Sequence, residues 1–392
     1  MPTPLNPALT RTQASPIVAA KSWMQGMTFT PERPLINVSQ AAPMEAPPLA
    51  LREEIARIAL EDTAAHLYGP VLGLPELRSE LASQWSAAYH AEIAPDEVAI
   101  TAGCNEAFTA TMTTIAGAGD EVILATPWYF NHKMWCDMSG VHAVALPTGD
   151  DLLPDLETCA RLITPRTRAI VLITPNNPGG VEYPAELLSK FYALAREHRI
   201  MLVLDETYRD FDSRSEVPHY LFRQPDWRDT LVHLYSFSKA FRLTGHRVGA
   251  LITGAERMAE VEKYLDTVTI CPNQIGQRAA LWGLQNLSQW VAGERAEILA
   301  RRAAMIDGFK ALEGWKLLGC GAFFAYVEHP FEMPSSELAP WLLREAGVLL
   351  LPGTAFMPAN DPRAERQLRI AFANIGVPEI ATLFTRLAQI TP

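Results

Sequence analysis

The sequence has few of the features by which proteins bind nucleic acid or membranes. Its net charge is −11 and its pI is near 5.4, with no long basic run, so nucleic acid and anionic membranes are not expected partners. No apolar run reaches the ~20 residues that a membrane-spanning helix needs. The N-terminus lacks the charged-then-apolar pattern of a secretory signal.

Cysteine is also scarce. The five cysteines are odd in number, scattered along the chain and free of any Cys-x-x-Cys pair: Cys104, Cys136, Cys159, Cys271 and Cys320. This pattern argues against a disulfide framework and against a zinc site. We therefore expect no metal and a reducing, cytoplasmic environment.

The chain is long enough for two domains, since 392 residues exceed what one simple core usually holds. Residues 1–48 are rich in proline and weakly periodic, so they predict an N-terminal arm with one short helix. Residues 49–275 predict a large domain, and residues 276–392 predict a smaller C-terminal domain, where the pattern of apolar runs changes. There is no internal repeat and no low-complexity tract.

Short apolar runs alternate with helical stretches through the large domain. The predicted strands are apolar on both faces and cover residues 97–101, 121–125, 169–173, 201–204, 231–235 and 248–252. Such strands, separated by helices, indicate a mostly parallel sheet covered by helices on both faces. In the smaller domain, a long helical region at 276–312 precedes strands at 322–327, 348–351 and 368–371. The predicted fold class is α/β, with a smaller α+β domain.

The most informative residue is Lys239, which follows the predicted strand at 231–235. Ser236 and Ser238 lie beside it, and Arg247 follows eight residues later. Hydroxyl groups and an arginine suit a phosphate group, and a lysine amine beside a phosphate site suits an aldehyde cofactor. These properties together indicate pyridoxal 5'-phosphate, bound as a Schiff base. The alternative for this window alone is a surface lysine in a serine-rich turn.

Other polar residues also follow predicted strands. Parallel sheets bind ligands beyond the carboxyl ends of their strands, so these residues are candidates for the same site. Gly103 precedes a predicted helix whose amides could face a phosphate, Asn177 lies in a Pro- and Gly-rich turn, and Asp205 follows a fully apolar strand. Tyr129 could stack on a planar ring. Each also has an ordinary alternative. Gly103 could belong to a strand-to-helix turn and Asn177 could be a capping asparagine. Asp205 could be a helix N-cap and Tyr129 could be a core aromatic.

In their order and joint placement, these motifs resemble pyridoxal-phosphate aminotransferases of fold type I, the class I/II family that includes aspartate and aromatic aminotransferases. The resemblance spans about residues 36–370. Its strongest motifs are Asn177-Pro178-x-Gly180, Asp205-x-x-Tyr208, Ser236-x-Ser238-Lys239 and Arg247-x-Gly249. The resemblance implies a transfer of an amino group between an L-amino acid and a 2-keto acid, with ping-pong kinetics and pyridoxal 5'-phosphate as cofactor.

The resemblance also implies catalytic roles. Lys239 would form the internal aldimine and move the proton between Cα and the cofactor, and Asp205 would pair with the pyridine nitrogen. Asn177 and Tyr208 would bind the phenolic oxygen of the cofactor, and Tyr129 would stack on its ring.

The phosphate and the substrate have their own implied partners. The backbone around Gly103, Cys104 and Asn105 would hold the phosphate, together with Ser236, Ser238 and Arg247. Tyr68 matches the tyrosine that reaches the phosphate of a neighbouring subunit, so the resemblance implies a homodimer with shared sites, in which the arm contributes contacts. Arg369 would bind the substrate α-carboxylate through both of its oxygens, with Asn177 and the backbone of Ala41 beside it.

Two positions depart from the family pattern. Gly179 replaces the threonine of Asn-Pro-Thr-Gly, which affects the turn more than the chemistry, and Ala41 stands where the family often has glycine. The same residues would also serve a carbon–sulfur β-lyase or a related eliminating enzyme. A regulator that senses pyridoxal phosphate is a further alternative, but neither end of the chain has the length or basic charge for a DNA-binding domain.

The specificity for the substrate side chain is less determined. No second arginine for a dicarboxylate substrate can be aligned, so we expect a neutral amino donor to be used at least as well as aspartate. Trp23, Phe29 and Trp128 could line an aromatic pocket or could be ordinary packing.

Overall fold

The computed structural model describes residues 3–391, so the ends of the predicted arm and of the predicted C-terminal domain, residues 1–2 and 392, lie outside it. The described chain forms thirteen strands in three sheets. They are β1 Ile36–Asn37, β2 Val98–Thr101, β3 Glu121–Thr126, β4 His142–Pro147, β5 Thr167–Ile173, β6 Met201–Asp205, β7 Leu231–Ser236, β8 Gly249–Ile252, β9 Lys316–Gly321, β10 Phe324–Glu328, β11 Val348–Leu349, β12 Leu351–Pro352 and β13 Gln367–Ile370.

Fifteen α-helices surround these sheets in the described chain. They are α1 Pro7–Arg11, α2 Pro16–Trp23, α3 Leu49–Glu61, α4 Pro75–Tyr89, α5 Cys104–Thr113, α6 Phe130–Ser139, α7 Leu156–Leu162, α8 Ala185–His198, α9 Trp227–Thr230, α10 Phe237–Ala240, α11 Ala255–Val268, α12 Gln274–Asn286, α13 Ser288–Ala311, α14 Ser335–Ala346 and α15 Val377–Leu387.

The largest sheet has seven strands in the order β2-β8-β7-β6-β5-β3-β4. All neighbouring pairs from β7 to β4 are parallel, whereas β8 is antiparallel to both β7 and β2. Six of the seven strands therefore point the same way, and their carboxyl ends lie along one edge. The predicted fold class, an α/β sheet that is mostly parallel, is confirmed.

Both faces of this sheet are buried, because successive side chains of each strand point to opposite sides. In β6, Leu202 and Leu204 belong to an apolar cluster that includes side chains of α4 and α8. Met201 and Val203 belong to a different cluster, which includes side chains of α5 and α11. This two-sided burial explains why the strand reads as a continuous apolar run.

A four-stranded antiparallel sheet follows in the C-terminal part of the chain, in the order β12-β13-β10-β9. It is packed against α13, α14 and α15 around an apolar core that includes Phe324, Leu342 and Leu383. The third sheet joins β1, from the N-terminal region, to β11 in parallel. The segment before α3 is thereby attached to the C-terminal part of the chain.

Several predicted elements differ from the structure. The predicted helical region at 276–312 is two helices, α12 and α13, because Leu287 leaves helical geometry (φ −110°, ψ 16°) and is buried in the core. The predicted strand at 348–351 is divided between β11 and β12, which pair in different sheets. Two edge strands, β4 and β9, were not predicted, since β4 is largely half-exposed and β9 contains two glycines, so neither reads as a buried apolar run. Within residues 3–391, no helix combines the length and apolar character needed to cross a membrane.

Candidate active site

The polar residues that follow the strands of the large sheet meet in one cavity of about 450 Å³. The loops after β2, β3, β5, β6 and β7 and the loop before β8 all contribute to its wall, as expected for an edge where parallel strands end together. Of the residues predicted for the site, those that line the cavity are Ala41, Cys104, Asn105, Tyr129, Asn177, Asp205, Tyr208, Ser236, Ser238, Lys239, Arg247 and Arg369.

Lys239 lies in α10, one short turn after β7, so the rigid strand holds its backbone at the cavity. Its Nζ donates to the carbonyl oxygen of Ala41 at 2.8 Å. Burial lowers the pKa of Lys239 to about 8, and the nearby guanidinium groups of Arg247 and Arg369 act in the same direction. A substantial share of this amine is therefore neutral near physiological pH, which is the form that acts as nucleophile and base.

Asp205 is the last residue of β6 and is only 4% exposed. Its Oδ1 accepts from the Thr207 amide at 2.9 Å, and the Cys104 thiol lies 3.8 Å from the same oxygen. His132 approaches Oδ2 at 3.7 Å, but burial lowers the pKa of His132 to about 3, so this ring is neutral. Burial accordingly raises the pKa of Asp205, as expected of a carboxylate without a cationic partner.

A concave surface at the start of α5 is suited to a phosphate. Gly103 has φ +88°, and a Cβ on it would lie 2.2 Å from Nη2 of Arg247. Arg247 reaches Oγ of Ser238 at 3.3 Å and the Thr244 carbonyl at 3.2 Å. The guanidinium can pass this close to the backbone because glycine has no side chain, so the amides at the helix start and the arginine face the same space.

Arg369 lies in β13, on the opposite wall from the large sheet, and is 2% exposed. Its Nη1 donates to Asn177 Oδ1 at 3.0 Å and its Nη2 donates to the Ser39 carbonyl. Its Nε has no hydrogen-bond partner among residues 3–391, and burial lowers its pKa to about 10. A buried guanidinium without a carboxylate partner has donors left for a planar carboxylate ligand.

Three further predicted residues, Asn177, Tyr129 and Tyr208, lie in the same cavity. The Tyr129 hydroxyl approaches Asn105 Oδ1 at 3.4 Å, and burial raises the pKa of Tyr129 to about 12. The Tyr208 ring centre is 5.9 Å from Lys239 Nζ, and burial raises the pKa of this tyrosine as well. Both phenols therefore stay protonated and can donate hydrogen bonds.

Tyr68 lies outside the cavity of its own chain: its side chain is 81% exposed and forms no part of the cavity wall. Other large apolar side chains are exposed near it along the chain, at the end of α11 or in the segment that follows α11, namely Leu60, Leu67, Val268 and Ile270. An exposed apolar surface of this kind is typical of a protein contact.

Some lining residues were not predicted from the sequence. Ile17 and Val18 of α2 form an apolar part of the wall, and Ser15, Gln40, Asn131 and Thr244 add polar groups. His132 was noticed only as part of the motif after β3, yet it packs against Phe108, with ring centres 3.7 Å apart, and supports Asp205. The α2 residues carry no sequence signal, because their helix meets the cavity only in the folded chain.

The chain's own groups fit pyridoxal phosphate. The buried Asp205 carboxylate lacks a positive partner among residues 3–391, and a protonated pyridine nitrogen would supply one. Because Gly103 has no Cβ, the Arg247 guanidinium lies directly against the backbone at the start of α5, and this arrangement suits a phosphate. Lys239 presents a partly neutral amine in the same cavity.

Comparison with known proteins agrees with this geometry. Residues 33–387 match the family model described as "Aminotransferase class I and II". The chain is 32% identical over 326 residues to an aspartate/prephenate aminotransferase of Thermus thermophilus, covering 82% of each chain. It is 27% identical to an aromatic aminotransferase of Arabidopsis thaliana, over 90% of this chain and 89% of that one.

A solved structure and a further relative by sequence give the same result. A structure of the Thermus thermophilus aspartate aminotransferase with maleate superposes with a TM-score of 0.88 at 27% identity, covering 99% of this chain and 100% of that one. A methionine aminotransferase of Escherichia coli is 27% identical in sequence over 86% of this chain and 88% of that one. The similar proteins thus act on acidic, aromatic and sulfur-containing amino acids according to their names.

Proposed function

This chain belongs to the class I and II aminotransferase family, and from that premise we propose which of its residues perform the reaction. The protein is a pyridoxal-phosphate-dependent aminotransferase, which moves an amino group between an amino acid and a 2-keto acid. The observation that carries our assignment is the single cavity in which the Lys239 amine, the Asp205 carboxylate and two guanidinium groups meet.

Lys239 is the proposed proton carrier and the covalent attachment point of the cofactor. When bound, pyridoxal phosphate supplies an aldehyde that condenses with amino groups and a ring that accepts electrons. The amine of Lys239 has its pKa lowered to about 8. We propose that it takes the proton from the substrate Cα and passes it to the cofactor carbon on the other side of the transferred nitrogen. Tyr208, whose ring lies 5.9 Å from this amine, is proposed to donate a hydrogen bond to the phenolic oxygen of the cofactor together with Asn177.

Asp205 is proposed to keep a proton on the ring nitrogen of the cofactor. Its burial and the neutral His132 ring beside it support this role, since a buried carboxylate is stabilised by a directly adjacent positive charge. Tyr129 is proposed to cover the ring. Gly103, Cys104 and Asn105, through their backbone, and the side chains of Ser236, Ser238 and Arg247 are proposed to hold the phosphate.

Arg369 is proposed to bind the α-carboxylate of the substrate, with Asn177 and Ala41 beside it. The remaining cavity wall supports a neutral amino donor, because its only cationic side chains among residues 3–391 are Lys239, Arg247 and Arg369. Each of these three already has a proposed role. Ile17 and Val18 add apolar surface, which favours an aliphatic or aromatic side chain.

The quaternary arrangement is a further part of the proposal. A homodimer with shared sites is supported by Tyr68, which is 81% exposed and accompanied by other exposed apolar residues. We also propose a division into an arm at 1–48, a large cofactor-binding domain at 49–275 and a small domain at 276–392. The pairing of β1 with β11 supports an arm that contributes to the small domain. A cytoplasmic location is proposed from the scattered free cysteines.

Borohydride reduction of the cofactor-loaded protein tests the central assignment. We expect peptide mapping to find the cofactor attached to Lys239, and Lys239→Ala to bind the cofactor without a covalent bond and to lose nearly all turnover. A label on another lysine would overturn the assignment of Lys239 without affecting the family membership.

Initial rates with a panel of amino donors test the specificity. Keto acid, ammonia and sulfide are measured separately, so that transfer and elimination are distinguished. We expect keto acid as the main product and at least one neutral donor to match aspartate. A strong preference for aspartate and glutamate over every neutral donor would contradict the neutral-donor proposal.

A further inference from the structure

A second cavity, of about 250 Å³, lies beside the helix that carries Lys239. Its wall includes Ala240 and Phe241, the two residues after that lysine, and it shares no lining residue with the active-site cavity. Ala88, Arg209 and Asp210 belong both to this wall and to that of a larger groove of about 760 Å³. The groove and the second cavity are therefore adjacent.

Arg209 is the notable group in this wall. Its guanidinium carbon lies 4.0 Å from the ring centre of Trp85 and 5.0 Å from that of Tyr89. Among residues 3–391 the guanidinium has neither a hydrogen-bond acceptor nor a carboxylate within ion-pair distance. Stacking holds the planar group in one orientation but leaves its N–H donors unused, so the cavity presents a preorganised fork for a carboxylate.

Asp210 adds the opposite charge to the same wall. Its Oδ2 accepts from the Tyr235 hydroxyl at 2.8 Å, whereas its Oδ1 has no donor among residues 3–391. A simple anion in the cavity would be repelled by this carboxylate, and a simple cation would be repelled by the guanidinium. A ligand that carries both charges, next to each other, satisfies both side chains.

We propose that this cavity binds a free α-amino acid with an apolar side chain, at a site separate from the active site. The α-carboxylate is bound by Arg209 and the α-ammonium group by Asp210. The side chain packs on Trp85, Leu284 and Val291, which supply the apolar part of the wall. A few polar groups that set orientation, within an otherwise apolar wall, are typical of a small-molecule site.

The test measures binding in a protein that cannot turn over. The cofactor-loaded Arg369→Ala variant is reduced with borohydride and titrated with L-leucine by isothermal titration calorimetry. We expect saturable binding of one leucine per chain. 4-Methylpentanoate lacks the ammonium group and 3-methylbutylamine lacks the carboxylate, so each should bind at least about tenfold more weakly, because each loses one charged contact.

Variants in the same background assign the two contacts. Asp210→Asn should reduce leucine binding to the level of 4-methylpentanoate, and Arg209→Gln should abolish saturable binding of both. Arg223→Gln is the matched control, because Arg223 also stacks on a tyrosine, Tyr220 at 5.4 Å, but lines neither cavity. Its leucine binding should be unchanged. Circular dichroism checks that each variant is folded.

Two results would overturn the proposal. One is the absence of saturable leucine binding in the reduced Arg369→Ala protein, and the other is leucine binding that Arg209→Gln and Arg223→Gln alter equally. In the second case Arg209 would only pack on Trp85. If Arg209→Gln does not fold, two measurements still decide the question. They are leucine binding to Arg209→Lys and the comparison of leucine with its two analogues, and both keep the positive charge at position 209.

Discussion

Lys239 combines two properties at the scale of a single residue: a backbone held by the end of β7 and an amine whose charge is disfavoured. Burial and two nearby guanidinium groups lower its pKa from 10.5 to about 8. Below that pH the amine is protonated and unreactive, and above it the amine is neutral. The covalent uptake of pyridoxal phosphate by cofactor-free protein should therefore speed up as pH rises through about 8.

The measurement is the rate of absorbance change after mixing cofactor with cofactor-free protein across the pH range. N-acetyl-lysine amide is the control, and its rate should keep rising to near pH 10.4, the usual pKa of lysine. An inflection for the protein at that higher pH would mean that burial does not depress the pKa of Lys239.

Asp205 and Glu206 are adjacent buried carboxylates with different surroundings. Asp205 lines the active-site cavity, whereas Glu206 accepts from Tyr89 and contacts His233 Nε2 at 2.8 Å. We expect Asp205→Asn to slow proton abstraction by about 10²–10³-fold, the usual effect of removing one electrostatic contact to developing charge. Glu206→Gln should mainly lower thermal stability, because it disrupts a buried network.

Single-turnover rates and melting temperatures of both variants test this contrast. Near-normal proton abstraction in Asp205→Asn would mean that Asp205 acts only as a cap for the Thr207 amide.

Substitutions of the two cavity arginines should have different effects, one on substrate binding and the other on cofactor binding. Arg369→Lys should raise KM for the amino donor strongly, since one ammonium group cannot reproduce a two-pronged contact, a loss on the order of 2–5 kcal/mol. Arg247→Lys should instead weaken cofactor binding. Steady-state kinetics at saturating cofactor, with cofactor titrations of the same proteins, measure both effects. If both variants changed only KM, the division of roles would be wrong.

At the scale of elements, the turn between β2 and α5 decides whether a phosphate can approach. Gly103→Ala would place a Cβ 2.2 Å from Arg247 Nη2, so we expect at least a roughly tenfold loss of cofactor affinity, equivalent to about 1.4 kcal/mol. Gly119→Ala is the matched control, because Gly119 has φ +90° and a Cβ added to it would have no neighbouring atom within 4 Å. Gly119→Ala therefore places alanine at a similar positive φ without the clash.

Fluorescence titration of each variant with pyridoxal phosphate gives the affinities. Equal losses of cofactor affinity in the two variants would indicate that backbone strain, and not the clash with Arg247, weakens binding.

The elements also differ in how well the sequence predicts them. The central strands of the large sheet were predicted within one or two residues, because burial on both faces makes each one a continuous apolar run. β4 and β9 were not, since edge strands are stabilised by pairing with one neighbour and need no such run. The break between α12 and α13 lies at Leu287, which is buried in the core, and this packing leaves no local signal in the sequence.

At the scale of the whole molecule, the exposure of Tyr68 supports the proposal that each site is completed by a second chain. We expect a homodimer, and we expect that mixing Tyr68→Ala and Lys239→Ala proteins restores activity. In a hybrid dimer, one site combines an intact Lys239 with an intact Tyr68 from the other chain. Random exchange would make about half of the dimers hybrid, so recovery should approach about a quarter of wild-type activity, given two symmetric sites.

Activity assays before and after exchange, with sedimentation to establish the assembly, test this prediction. A mixture of Lys239→Ala with wild-type protein controls for simple dilution. A fully active monomer would contradict the shared site.

The sequence by itself determined the fold class, the family and the set of polar residues at the strand ends. These follow from local order along the chain: apolar runs mark buried strands, and Lys239, Asp205 and Asn177 each come at or shortly after the end of one. Parallel strands then bring such residues to one edge without further information.

Only the tertiary structure decided which distant groups meet, at this edge and in the second cavity. His132 lies against Asp205, α2 supplies Ile17 and Val18 to the wall, and Arg209 stacks on Trp85 without an acceptor among residues 3–391. It also gave the pKa directions, since these depend on burial and on charges brought close by folding. Such contacts join residues far apart in the chain, and no local pattern encodes them, because they arise from how helices and sheets pack.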